Sequence, residues 1–136
     1  MLKKLSILIF VIGFTLSGIA QSQKFQLSSH ILDISRGMPA EGVLIKLEKQ
    51  NGHEQWTFIS EHKTNKEGRI QNFLPYGGTQ NKGIFKLTYF IEPYFKSLKQ
   101  KSFYPFIEVV FEIKDDQHYH VPITLSPYGY ATYRGN

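Results

Sequence analysis

The sequence predicts an all-β fold, a two-sheet antiparallel sandwich of seven or eight short strands with one short helix. Three observations predict it. Short runs alternate apolar and polar side chains. Gly, Pro, Asn and Asp punctuate them at close spacing. One stretch alone has helical character.

The first strand spans 25–33 and ends at Arg36-Gly37-Met38-Pro39. The second, 43–48, stops at Gln50-Asn51-Gly52. Residues 55–63 alternate, with Trp56 and Phe58 on one side, which places Trp56 in the core. Asn65-Lys66-Glu67-Gly68 is a turn, and Arg69-Ile70 opens a short strand. Gly77-Gly78 lies in a loop before 84–91, a strand rich in β-branched and aromatic residues. The helix is read at 93–99, with Pro93 at its start and Tyr94 and Leu98 one turn apart. Residues 106–113 point Ile107, Val109, Phe111 and Ile113 inward and Glu108 and Glu112 outward. After Asp115-Asp116 come strands at 118–126 and 128–134.

Residues 1–20 are read as a secretory signal: Lys3-Lys4, an apolar run, then small residues at Gly18 and Ala20. The run is too broken by Ser6, Gly13, Thr15, Ser17 and Gly18 to suit a membrane-spanning helix. A single exported domain at 21–136 is therefore expected, periplasmic, with no membrane association after cleavage. Without Lys3 and Lys4 the chain carries 14 basic and 11 acidic residues, too mild a balance to argue for nucleic acid. It contains no Cys, which excludes a disulfide scaffold, a thiolate metal site and a cysteine nucleophile.

Strand parity sorts the polar residues onto faces. In the first strand Phe25, Leu27 and Ile31 share one face and Gln26, Ser28 and His30 the other. In 118–126, Tyr119, Val121, Ile123 and Leu125 point to the core, and His118, His120, Thr124 and Ser126 away. Two strands thus each place a histidine on the non-core face. A zinc site using His118, His120 and His30 lacks an acidic ligand close in sequence. A serine nucleophile lacks its G-x-S-x-G turn, so Ser28-Ser29-His30 is adjacency rather than a triad. No glycine-rich phosphate loop is present, and Lys96, Lys99 and Lys101 read as a solvated helix face. Histidine and arginine chemistry without a covalent step is what remains.

The run from Tyr119 to Asn136, containing Tyr119-His120-Val121-Pro122 and Thr132-Tyr133-Arg134-Gly135-Asn136, resembles the C-terminal signature of the 5-hydroxyisourate hydrolases, the transthyretin-related enzymes of urate breakdown. Leu27-Ser28-Ser29-His30-Ile31-Leu32-Asp33, followed by Gly37-Met38-Pro39-Ala40-Glu41-Gly42-Val43, is similar to the family's first motif, and Thr64-Asn65-Lys66-Glu67-Gly68-Arg69-Ile70 to another. The resemblance implies a transthyretin-like sandwich assembled as a homotetramer with sites at subunit interfaces. It also implies hydrolysis of 5-hydroxyisourate to a ureidoimidazoline with no metal or organic cofactor. The family's catalytic residues fall on His30, Arg69 and His120, and its substrate-binding tetrapeptide on Tyr133, Arg134, Gly135 and Asn136. The family ends in Ser where this chain has Asn136. An amide donates and accepts hydrogen bonds but cannot rotate a single hydroxyl into a proton relay.

Imidazole takes up and returns protons near neutrality, so His30 and His120 are expected to share acid and base work. Arg69 offers a planar fork for carbonyl oxygens and a developing oxyanion. Side chains on an outward sheet face stand in bulk water unless a second subunit covers them, an independent reason to expect an oligomer. The alternative function is a non-catalytic small-molecule carrier like transthyretin itself.

Overall fold

The computed structural model describes residues 24–136; the signal segment read at 1–20 lies outside them. Nine strands form two sheets: β1 (Phe25–Asp33), β2 (Met38–Pro39), β3 (Leu44–Gln50), β4 (Trp56–Lys63), β5 (Arg69–Pro75), β6 (Gly83–Phe90), β7 (Ile107–Ile113), β8 (Tyr119–Ser126) and β9 (Gly129–Thr132). One sheet runs β2-β1-β8-β9, with β5 also pairing β1, and the other runs β4-β3-β6-β7. A 3-10 turn covers Gly78–Asn81, and among the described residues one α-helix, α1, covers Glu92–Ser97.

The core between the sheets follows from the alternation. Leu27 and Ile31 of β1, Ile45 and Leu47 of β3, Phe85, Leu87 and Tyr89 of β6, Ile107 and Ile113 of β7, and Ile123 and Leu125 of β8 are all buried. Each such aliphatic side chain contributes about 1.5–3 kcal/mol on leaving water. Helix α1 closes one end, burying Tyr94 and Phe95, while Lys96 stays in solvent beside Glu92. The Tyr94 hydroxyl donates to the buried Asp33 carboxylate at 2.8 Å, which Ser35 also satisfies through its backbone N–H at 3.0 Å.

Three sequence expectations change. The sandwich is not wholly antiparallel: β1 and β8 run parallel, with Ser28 opposite His120 and His30 opposite Pro122. Alternation tells which face a residue takes but nothing of its neighbour's direction. Strand β2 is two residues long, inside what reads as a Gly-Pro break, and pairs Leu32 with Pro39. Trp56 is only half-buried, because β4 is an edge strand: the Lys86 ammonium lies 4.4 Å from the centre of its ring, and Phe58 is 56% exposed.

The turn into β5 aims Arg69. The Asn65 side-chain oxygen accepts from the N–H groups of Glu67 (3.1 Å) and Arg69 (2.8 Å), and the Gly68 N–H donates to the Asn65 carbonyl at 2.9 Å. Gly68 has φ +70° and its carbonyl accepts from the Ile31 N–H at 2.9 Å; a Cβ there would sit 2.6 Å from the Ile31 oxygen. Only glycine fits both the left-handed backbone and the close approach of β1. The result is a Cα register that pairs Arg69 with His30.

Candidate active site

The outward face of the β5-β1-β8 ribbon gathers the polar residues. His30 faces Arg69 across one ladder, and Ser28, two residues back along β1, faces His120 across the other. Two residues of strand separate the pairs by about 7 Å, a span suited to a small planar molecule. A cleft of about 800 Å³ opens on this face, lined by Ser28, Asn65, Arg69, His118, His120 and Asn136, with Lys24 and Lys63 among the other residues around it. No Asp or Glu lines it. The charged side chains around it, Lys24, Lys63 and Arg69, are all basic, which favours carbonyl oxygens and developing negative charge.

Both histidines are held in the neutral form more firmly than imidazole in water. Burial is the main cause for His30, lowering its pKa below 6.5, and the Arg69 guanidinium lowers it further, against a hydrogen bond that the ring donates to the Glu67 main chain. His120 is lowered first by burial, then by Arg69, His30 and His118 in turn. One cation thus acts on both rings, and the two rings act on each other. Their titration belongs to the cluster rather than to either residue.

The His120 ring is fixed on two sides. Its Nδ1 lies 2.8 Å from the Ser28 hydroxyl. On the other flank the chain's last turn returns, and the Gly135 N–H donates to the His120 carbonyl at 2.9 Å. A Cβ on Gly135 would overlap His120 Cδ2, so the close approach itself demands glycine. Ser28 in turn contacts His118 Nε2 at 2.9 Å, and His118 Nδ1 lies 2.9 Å from the Phe25 carbonyl. His118 commits both ring nitrogens to these bonds, which leaves neither for a metal ion. Among the described residues no three His, Asp or Glu side chains are placed to hold one.

Of the seven site residues expected from sequence, Arg69, His120 and Asn136 line the cleft, and His30 stands next to it, in register with Arg69. Tyr133 and Arg134 turn elsewhere. They line a second hollow of about 420 Å³, shared with Val109, Tyr119 and His120 on the far side of the terminal segment. Arg134 lies 4.8 Å from the centre of the Tyr119 ring and donates to the Gln117 side chain at 3.2 Å. Gly135 contributes its backbone. Ser28 and His118 enter the site although sequence reading gave them no role; their shared parity with His30 and His120 is the signal that marks them.

The family described as HIUase/Transthyretin matches residues 27–135, which include all of this sandwich but the first two residues of β1. The chain belongs to the HIUase/Transthyretin family. A Caenorhabditis elegans protein named probable 5-hydroxyisourate hydrolase is 46% identical over 132 residues, covering 95% of this chain and 96% of the nematode protein. The mouse 5-hydroxyisourate hydrolase is 40% identical over 112 residues, covering 81% of this chain and 94% of its own. Among solved structures, Klebsiella pneumoniae 5-hydroxyisourate hydrolase superposes with a TM-score of 0.69 at 34% identity, covering 81% of this chain and 97% of that one. Sea bream transthyretin in complex with thyroxine superposes with a TM-score of 0.75 at 27% identity, covering 81% and 94%. The same sandwich is thus found in a protein named as a 5-hydroxyisourate hydrolase and in a transthyretin solved in complex with thyroxine.

Proposed function

We propose that this protein hydrolyses 5-hydroxyisourate, opening its ring to 2-oxo-4-hydroxy-4-carboxy-5-ureidoimidazoline in purine catabolism. The observation that carries the reading is the convergence of His30, Arg69 and His120 on one face, around a cleft without acidic residues. The hydrolase reading is supported over the carrier: over near-equal shares of the chain, identity to the Klebsiella hydrolase is 34% and to sea bream transthyretin 27%.

In this mechanism the two imidazoles divide the proton work. One removes a proton from the attacking water, and the other returns a proton to the ring nitrogen as the C–N bond breaks. Arg69 receives the carbonyl oxygen on which charge develops, through two parallel N–H donors. Asn136 meets the substrate edge by amide hydrogen bonds, and Gly135 seats that segment against His120. Tyr133 and Arg134 hold the terminal segment in place and border the subunit contact. No step needs a metal or an organic cofactor.

The assembly is a homotetramer with paired sites where the outward faces of two subunits meet. The reading is supported by half-buried histidines on a sheet face that opens to solvent in the single chain, since covering that face would dry the cleft and sharpen its electrostatics. Export to the periplasm, with cleavage after Ala20, completes the proposal.

The test generates 5-hydroxyisourate freshly and follows its ultraviolet absorbance with the purified protein, alongside sedimentation of the same sample. Loss of absorbance far above the spontaneous rate, carried by a tetramer, is expected. A rate equal to buffer refutes the hydrolase, and full activity in a monomer refutes the shared site.

A further inference from the structure

The hydrogen bonds around Ser28 determine where the protons sit on His120. The chain begins at the Phe25 carbonyl, which can only accept; His118 Nδ1, 2.9 Å away, therefore carries a hydrogen and donates it. In its neutral form His118 has one N–H, so in that form its Nε2 is an acceptor. Among the described residues the hydrogen placed for it is that of the Ser28 hydroxyl at 2.9 Å. Ser28 has a single hydrogen, so its oxygen can only accept from His120 Nδ1 at 2.8 Å. His120 thus bears its proton on Nδ1, and its Nε2 carries the free lone pair.

We propose that Ser28 and His118 are positioning residues that lock neutral His120 in the Nδ1–H tautomer and thereby make its Nε2 the general base. The proposal rests on the hydrolase reading and assigns the base within it, leaving His30 as the proton donor to the leaving nitrogen. The tautomer matters because imidazole in water ordinarily prefers the other one, with the hydrogen on Nε2. An Nε2–H imidazole presents a donor to the attacking water and cannot take its proton.

The lock persists through the step. When Nε2 takes the water's proton, His120 becomes an imidazolium whose Nδ1–H still points at the Ser28 oxygen. Hydroxide oxygen forms its bond to the ring carbonyl carbon, and the electron pair of that carbonyl moves to the oxygen facing Arg69. The C–N bond breaks as that pair returns, and the leaving nitrogen takes a proton from His30 as His30 takes up, on its other nitrogen, the proton that the His120 imidazolium releases, so both rings end neutral. The charged groups facing His120 are Arg69 from β5 and, when protonated, His30 from β1 and His118 from β8; all three disfavour a second proton on it.

Ser28 is 8% exposed, so its hydroxyl is not replaced by water at no cost when removed. The Phe25 carbonyl belongs to the same strand as Ser28, so the donor sequence is anchored by main chain rather than by another mobile side chain. Ser28 and His118 thus orient an imidazole whose reaction they take no part in.

Nitrogen-15 spectra of histidine-labelled protein at mildly alkaline pH read the tautomer directly, without substrate. The expected wild-type spectrum has His120 protonated on Nδ1. In Ser28→Ala it shifts toward the Nε2–H form, kcat falls about 10–100-fold and KM stays within about twofold, because substrate contacts are untouched. Ser28→Thr keeps the hydroxyl and restores both the wild-type spectrum and most of kcat. A wild-type His120 protonated on Nε2, or a Ser28→Ala protein with wild-type spectrum and kcat, overturns the proposal. A wild-type protein with the expected spectrum but no turnover supports the lock and refutes the hydrolase reading alone.

Discussion

Replacing His120 by Asn is expected to lower kcat on 5-hydroxyisourate by about 10²–10⁴-fold, the usual worth of a positioned general acid or base, with little change in melting temperature. Asn keeps an amide near the place where Nδ1 meets Ser28, and a smaller side chain relieves rather than worsens the contact with Gly135. What it lacks is any group at Nε2. Loss of activity with folding intact therefore isolates the proton-accepting nitrogen. A stopped-flow rate close to wild type would remove His120 from the mechanism, and a parallel thermal melt guards against mistaking unfolding for lost chemistry.

Arg69→Gln is the second large effect, and it has two separable parts. Losing a preorganised donor to the developing oxyanion costs about 10²–10³-fold in kcat. The second part is a pH shift whose sign is fixed. Burial first and the Arg69 charge second hold His30 below 6.5, and the same two causes lead for His120. In wild type the acid limb of the rate therefore lies below 6.5. Removing the cation lets both rings keep their protons to higher pH, so the limb moves upward while burial still holds it down. Arg69→Lys separates the parts: it retains the charge, so the limb stays low, but its single ammonium does not reproduce the planar fork and most of the rate loss remains. A pH profile of kcat/KM for the three proteins reads both. An unmoved or downward-moving limb in Arg69→Gln would show that the guanidinium does not act on these imidazoles.

How much of this is written in the sequence depends on whether a feature is local. The faces of β1, β7 and β8 follow from alternation alone: Leu27, Ile107, Val109, Ile113, Ile123 and Leu125 lie inside as expected. Lys96, Lys99 and Lys101 are solvated as expected, but the helix read at 93–99 ends at Ser97 and leaves Lys99 and Lys101 beyond it. Direction and neighbour do not. The parallel pairing of β1 with β8 brings together segments about ninety residues apart, and it is this pairing that sets Ser28 opposite His120. Trp56 looked inward by parity, but parity is silent on whether a strand is at an edge, and β4 is. Gln26 shares the outward parity of Ser28, yet it is fully buried, because Asn81 donates to it at 2.8 Å from the Gly78–Asn81 turn.

The site divides in the same way. His30 and His120 are legible as outward-facing imidazoles on two strands. Arg69 is legible only through the resemblance to the hydrolases, since nothing in an isolated turn predicts that Gly68 will press against β1 and set Arg69 beside His30. The terminal tetrapeptide reads as one unit in sequence but splits in space, with Asn136 in the cleft and Tyr133 and Arg134 in the neighbouring hollow. The change of side comes at Gly135, whose backbone bridges His120: Tyr133 and Arg134 precede it on one side, and Asn136 follows it on the other. Ser28 reads in sequence as an outward-facing serine without a nucleophile's turn; its role lies in a hydrogen whose direction is set by a carbonyl three residues back and an imidazole ninety residues on.

A crystal structure with an unreactive planar purine-dione analogue of 5-hydroxyisourate tests most directly whether the three side chains serve one molecule. The expected complex has the analogue in the cleft beside Asn136, a carbonyl oxygen on the Arg69 guanidinium, and His120 Nε2 and the His30 ring each within hydrogen-bond reach of the ligand or of one water beside it. An analogue bound away from Arg69, or a pose that leaves His30 and His120 on different ligands, would contradict the account.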